Sequence, residues 1–355
     1  MSADRTATGG PRAGKASLPE RGMPESSVGE YHGRPTRRLD GEHLWVAVLA
    51  TAGPRIVRLG LRGSDENLLA ETPDVGWETP NGRYELFGGH RLWFAPEDPD
   101  RVAVPDADGV DLEVEPDGIR MTGGVEPITG LIRSSSLRLD PTAAVIELRH
   151  ELCNVGERPL ELSPWAITQL PLGGVVMLPQ PVAKDGHHVR PNRSLVLWPY
   201  TSWEDERLDI RDGLILVRAE VGRRLKLGYF NEAGWVGYLR NDVLLVRRFE
   251  PAVGRRHPDL GCNVETYCRD RFLELELLGP LAEIAPGTSV VSVERWQVLR
   301  VETNDDPAAV GPTAAGPGEP GGLPGGNGPL EAGVRRALAL VTSRSGDPGA
   351  AGASS

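Results

Sequence analysis

The chain has 355 residues, 39% apolar and 25% charged, with a formal net charge of -11. That length allows one large or two medium domains, and the acidic balance argues against a nucleic-acid binder, which needs a basic surface. No apolar run reaches the roughly 18 residues of a membrane span, so no membrane partner is expected.

The chain begins MSADRTATGGPRAGKASLPERG, which lacks the apolar core of a secretory signal. Cys153, Cys262 and Cys268 are an odd set without CxxC spacing. They read as free thiols in a reducing, cytoplasmic compartment and not as a disulfide framework or zinc site. Residues 1–38 are rich in Gly, Pro, Ser and Arg, and residues 301–355 in Gly, Pro and Ala. Both ends are expected to be disordered tails because they bury too little to offset ordering entropy. Within the second, Val334 to Thr342 (VRRALALVT) patterns as a short helix.

The body, residues 39–300, reads as strand after strand. Leu44 to Leu49 and Ile56 to Leu61 are β-branched and alternating. Asp111 to Thr122 reads as two short strands around an Asp117-Gly118 turn. Leu131 to Leu139 and Ala144 to Leu152 follow, joined through Asp140-Pro141. A turn at Asn154 to Glu157 leads into Leu160 to Leu170. Lys226 to Phe230, Trp235 to Arg240, Leu244 to Phe249, Arg271 to Leu278 and Val290 to Leu299 complete the series. This is the pattern of a large antiparallel β-sandwich forming one domain.

Three stretches carry candidate chemistry. In Phe87 to Glu97 (FGGHRLWFAPE), Gly88-Gly89 permits a bend or a close approach. Beyond it Arg91, Trp93 and Glu97 share one parity if the segment is extended. Arg can grip vicinal hydroxyls and Trp can lie beneath a pyranose ring; a glycine bulge with a surface Arg–Glu pair explains the same residues without a ligand. The chain has 8 Trp against 5 Phe, although core filling accounts for most single Trp residues. In Phe272 to Pro280 (FLELELLGP), Leu273, Leu275 and Leu277 take one face and Glu274 and Glu276 the other. The glutamates face solvent or a polar cleft; crowding in a cleft would raise one carboxyl and make an acid or base. In Asn263 to Tyr267, Glu265 and Tyr267 share a face, preceded by Arg247, Arg248, Arg255, Arg256 and His257, read as a basic loop open to anions. His150 has the parity of Ile146, Leu148 and Leu152, a core or edge position. His187 and His188 lie in a polar loop, and no two histidines have metal-ligand spacing beside a carboxylate. No metal or other cofactor is expected, and nucleotide and hydrolase motifs are absent.

Four stretches together resemble the galactose mutarotase-like superfamily: GGHRLWFAPE (Gly88 to Glu97), ELCNVGERPLELSPWAITQL (Glu151 to Leu170), FLELELLGP, and APGTSVVSVERWQVL (Ala285 to Leu299). The resemblance implies an all-β antiparallel β-supersandwich over about Trp45 to Leu299 and a small-molecule carbohydrate as partner. Arg91, Trp93, Glu97, Trp165, Glu265 and Tyr267 would contact the sugar. It further implies a Glu as base for ring opening, at Glu276 or Glu274, and a His as acid. Where that His belongs this chain has Trp165-Ala166-Ile167-Thr168-Gln169, which leaves His90 as the substitute. Sugar recognition, a divergent aldose or sugar-phosphate 1-epimerase, and an accessory domain with a vestigial cleft are the three functions to separate.

Overall fold

In 145–154 the residues Ile146, Leu148, His150 and Leu152 are buried while Glu147 and Arg149 are exposed. This period of two is the pattern of a strand with one wet face. The computed structural model describes residues 23–98, 101, 103–106, 109–182, 190–302 and 329–343. In chain order the strands begin β1 (Glu25–Tyr31), β2 (Arg34–Asp40), β3 (Leu44–Leu49), β4 (Arg55–Leu61), β5 (Glu71–Thr79), β6 (Gly82–Gly88) and β7 (His90–Ala95). They continue β8 (Asp111–Glu115), β9 (Gly118–Val125), β10 (Leu131–Leu139), β11 (Val145–Asn154), β12 (Leu160–Leu170), β13 (Val175–Pro179), β14 (Val196–Leu197), β15 (Leu208–Ile210) and β16 (Leu214–Arg218). The last are β17 (Leu225–Tyr229), β18 (Trp235–Arg240), β19 (Val243–Phe249), β20 (Val264–Cys268), β21 (Leu273–Leu278), β22 (Ala282–Ile284) and β23 (Ser289–Arg300), before helix α1 (Pro329–Ser343).

The larger sheet runs β1-β2-β3-β4-β7-β12-β21-β20-β17-β14, with β22 on β12, and the second runs β15-β16-β13-β18-β19-β23-β11-β10-β9-β8. A separate hairpin pairs β5 with β6. Every pairing is antiparallel. The chain is therefore all-β in its body, the antiparallel supersandwich that the strand pattern and the resemblance imply. The core lies between the two sheets, where Leu273, Leu275 and Leu277 join Ile146, Leu148, Leu137 and Trp296.

Two details differ from expectation, and the short helix expected at Val334 to Thr342 is present within α1. Residues 25–38, placed in the N-terminal tail, form β1 and most of β2, closed by a two-residue His32-Gly33 turn with φ of 48° and 82°. They read as tail because β1 is exposed along most of its length, and the hairpin turns in only Tyr31, Thr36 and Leu39. In the β8–β9 hairpin Glu115 pairs with Gly118, so the turn residues are Pro116 and Asp117, one position earlier than expected. Within 301–355, α1 lays Val334, Ala337 and Val341 on Met177, Leu216, Trp235 and Leu244 of the second sheet's outer face. Arg211 fixes its first turn with paired bonds to Glu331 at 2.8 and 2.9 Å. No helix of the described residues is long and apolar enough to cross a membrane.

Candidate functional site

Cross-strand register assembles the site. Trp165 lies opposite Trp93, and Ile167 opposite Arg91. Ile167 also faces Glu276, and Gln169 faces Glu274. Glu276 then pairs with Glu265, Glu274 with Tyr267, and Tyr267 with Lys226. Directly paired residues project to the same side of a sheet. One face of β7, β12, β21, β20 and β17 therefore gathers Arg91, Trp93, Trp165, Gln169, Glu274, Glu276, Glu265, Tyr267 and Lys226. Its opposite face sends His90, Thr168, Leu273, Leu275 and Leu277 into the core.

An antiparallel sheet commonly leaves its second face wet, but this one is covered. Arg91 is 3% exposed, Trp165 4%, and Glu265 and Glu276 0%. Tyr84 of β6 packs on Trp93 with ring centroids 5.5 Å apart and accepts its indole N–H at 3.1 Å. From the other side the Trp198 ring lies 4.7 Å from Lys226 Nζ. The Thr201 hydroxyl holds that segment by accepting from Lys226 N at 2.8 Å and donating to Lys226 O at 2.7 Å.

Lys226 is the electrostatic centre. Its ammonium stands 2.8 Å from Glu265 Oε2 and 3.2 Å from Glu276 Oε2, between the rings of Trp165 and Trp198. Trp165 Nε1 donates to the same Glu276 oxygen at 2.8 Å. Arg91 lies over the Trp93 ring, 4.4 Å from its centroid, and donates to Glu274 Oε1 at 3.0 Å. Gln169 Nε2 meets that oxygen at 3.0 Å as well. These bonds leave Arg91 Nε and Nη1, Gln169 Oε1, Glu276 Oε1 and Glu265 Oε1 buried without a partner. Buried polar groups are normally satisfied, so donors and acceptors remain on offer between three indole rings.

Burial pushes the Glu265 carboxyl well above its ordinary value of 4.5, with Lys226 opposing and Glu276 adding to the rise. Glu274 is also raised by burial, against the pull of Arg91. Burial alone would lower the Lys226 ammonium, but Glu276 and Glu265 outweigh it and raise it. A carboxyl raised by folding contributes stability at acid pH that fades as pH rises through its folded pKa. Glu265→Gln, neutral throughout, should therefore lose less stability than the wild type between about pH 5 and pH 8. Urea midpoints of both proteins at the two pH values test this, and parallel losses would show that Glu265 ionises as an ordinary carboxyl.

The structure brings Arg91, Trp93, Trp165, Glu265, Tyr267, Glu274 and Glu276 together and leaves two expected residues out. Glu97 is exposed beyond the end of β7; the strand stops at Ala95, and Pro96 cannot donate to the ladder. His90 is on the core side, its Nδ1 2.9 Å from the Thr168 hydroxyl and its Nε2 3.2 Å from His150 Nε2. Burial holds it neutral, well below the usual imidazole value, and it cannot serve as acid to Glu276 across the sheet. The basic loop also dissolves. Arg247 is fully buried on β19 and paired with Glu294 at 2.7 Å, while Arg256 is an exposed partner of Glu161 at 2.9 Å. His187 and His188 lie outside the described residues. Lys226 was missed: a single lysine in LKLGY carries no local signal, and its partners are 39 and 50 residues away along the chain.

No protein-family model and no curated protein matches the sequence. Among solved structures the fold is similar to that of a TPR-domain containing protein from Parabacteroides distasonis, at TM-score 0.52 and 16% identity over 78% of this chain. The chain spans about half of that one, 49%. Weaker likenesses include a galactose mutarotase-like protein from Lactobacillus casei, at TM-score 0.49 and 9% identity over 78% of this chain and 100% of that one. Another is a putative mutarotase from Salmonella typhimurium, at TM-score 0.48 and 10% identity over 78% and 94%. At these identities the likeness concerns the fold.

Proposed function

We propose that the protein binds a small carbohydrate on the covered face of its larger sheet. The observation that carries this reading is the set of unpartnered polar atoms on Arg91, Gln169, Glu265 and Glu276, buried among Trp93, Trp165 and Trp198. A sugar has the complementary make-up: hydroxyls that both donate and accept, and a C–H face that packs on indole. Because Arg91, Glu265 and Glu276 are buried while Trp198, Tyr267 and Glu274 are only half-buried, a ligand reaches the carboxylates when the segment bearing Trp198 and Thr201 moves aside, the kind of loop motion that gates many binding sites.

The test is titration with a panel of aldoses and sugar phosphates, followed by heat and by chemical shifts. Arg91→Lys, which loses the planar fork, and Trp93→Ala, which loses the ring, should each weaken binding at least about tenfold, or 1.4 kcal/mol. If no sugar binds at millimolar concentration, the reading fails and the face is a buried polar layer of a scaffold.

The Glu265–Glu276 pair favours a second reading, a divergent 1-epimerase. Two adjacent carboxyls in unlike environments are the arrangement that separates an acid from a base. Glu276 would take the anomeric hydroxyl proton and Glu265 would give one to the ring oxygen as the C1–O5 bond breaks. Glu276→Gln should then abolish any acceleration of anomer exchange while leaving sugar affinity within a few-fold. Acceleration unchanged in that variant would sink the epimerase reading without touching the binding one.

A further inference from the structure

We infer that His90, His150 and Glu294 form a binding site for one divalent transition-metal ion of the Zn2+ class, set between the two sheets. The residues come from three strands, β7 of the larger sheet and β11 and β23 of the second. Their exposures are 2%, 1% and 3%. Among the described residues, His90, His150 and Glu294 bring one ligand atom each close enough together to share a metal ion. The separations are 3.2 Å between the two nitrogens and 3.1 and 3.7 Å from each to the oxygen. Tetrahedral zinc with bonds of about 2.0–2.1 Å sets its ligands about 3.3–3.4 Å apart. The three atoms thus mark one face of such a tetrahedron.

Protons fill this triangle only by sharing one hydrogen among three atoms. Glu294 is ionised beside Arg247, so its Oε1 only accepts. If His150 Nε2 carries hydrogen, that one hydrogen is split between Glu294 Oε1 at 3.1 Å and the His90 Nε2 lone pair at 3.2 Å. If it does not, it faces the carboxylate oxygen acceptor to acceptor at 3.1 Å. A cation meets all three lone pairs at once.

The surroundings are those of a metal site. Each imidazole has its far nitrogen on a hydroxyl, His90 Nδ1 on Thr168 Oγ1 and His150 Nδ1 on Ser135 Oγ, both at 2.9 Å. Such contacts orient the rings, and a hydroxyl that accepts the Nδ1 hydrogen leaves the Nε2 lone pair for an ion. The other oxygen of Glu294 is held by Arg247 Nε and Trp296 Nε1, each at 2.7 Å. Arg247 and the ion therefore use different carboxylate oxygens. Two imidazoles and one carboxylate suit Zn2+ or Co2+ better than the all-oxygen sets that Mg2+ and Ca2+ prefer. The ion would tie β7, which carries Arg91 and Trp93 on its other face, to the second sheet. This inference is independent of the sugar reading.

With ligands this buried, loading accompanies folding. The experiment is therefore elemental analysis of the full chain purified from cells grown with added Zn2+ or Co2+, with visible spectra of the cobalt form. One equivalent of metal, a d–d spectrum of a low-symmetry Co2+ site, and loss of both in His90→Gln are expected. Ser135→Ala keeps all three ligands and should release the metal to a chelator roughly 10- to 100-fold more readily. It decides the matter if His90→Gln does not fold. Less than about a tenth of an equivalent after both growths overturns the site. So does metal content that survives His90→Gln, or retention unchanged by Ser135→Ala.

Discussion

Replacing Lys226 with methionine is expected to destabilise the protein by about 3 kcal/mol at neutral pH. The side chains are close in volume, so packing changes little. What changes is charge: Glu265 and Glu276 lose the ammonium that stands 2.8 and 3.2 Å from them. Both carboxyls are fully buried, and removing one partner of a buried ion pair strands the other. Protonation relieves that cost, so the deficit should shrink as pH falls through the carboxylate range. Converting both glutamates to glutamine in the Lys226→Met background should recover most of the loss. Urea unfolding of the single and triple variants at pH 7 and pH 5 measures all of this. A loss below about 0.5 kcal/mol, the range of ordinary surface substitutions, would mean that water reaches the carboxylates and that the face is not closed as described.

Local alternation made one half of this site legible and left the other half hidden. LELELL declares its leucine and glutamate faces, and register then places Glu274 and Glu276 among the indoles. Arg91 and Trp93 share parity over a strand that runs through Ala95, whereas Glu97 stands past its end. The same parity rule put His150 with the core, where it is. Pairings between distant strands leave no such trace. Lys226 meets Glu276 only because β17, β20 and β21 are neighbours. His150 meets Glu294 because β11 lies against β23, 144 residues on. Arg247 read as part of a basic loop because composition cannot tell a strand's buried arginine from a solvated one. The strand continues through Phe249, and its guanidinium bridges the sheets by donating to the carbonyls of Leu275 and Ala166. The β1–β2 hairpin has no apolar rhythm to read because β1 is exposed along all but its last residue.

Gly89→Ala is expected to cost more than about 3 kcal/mol, through a mechanism the Gly88-Gly89 pair already hints at. The chain turns from β6 into β7 through three successive residues of positive φ: Phe87 at 57°, Gly88 at 91° and Gly89 at 71°. An L side chain in that region costs on the order of 1–2 kcal/mol by itself. Space is the larger obstacle, since a Cβ on Gly89 would lie 2.0 Å from the carbonyl oxygen of Ile56. That oxygen belongs to β4, whose Ile56 pairs with His90. Relief requires β7 to move off β4, and His90, Arg91 and Trp93 would move with it. Gly287→Ala separates the two contributions: its φ is 78°, but nothing lies within 4 Å of the added atom. It should lose only the conformational part, about 1–2 kcal/mol. Comparable losses in the two variants would mean that β7 yields easily at this turn. A much greater loss in Gly89→Ala would mean that the close approach of β7 to β4 fixes both faces of the strand, the polar pocket on one side and His90 on the other.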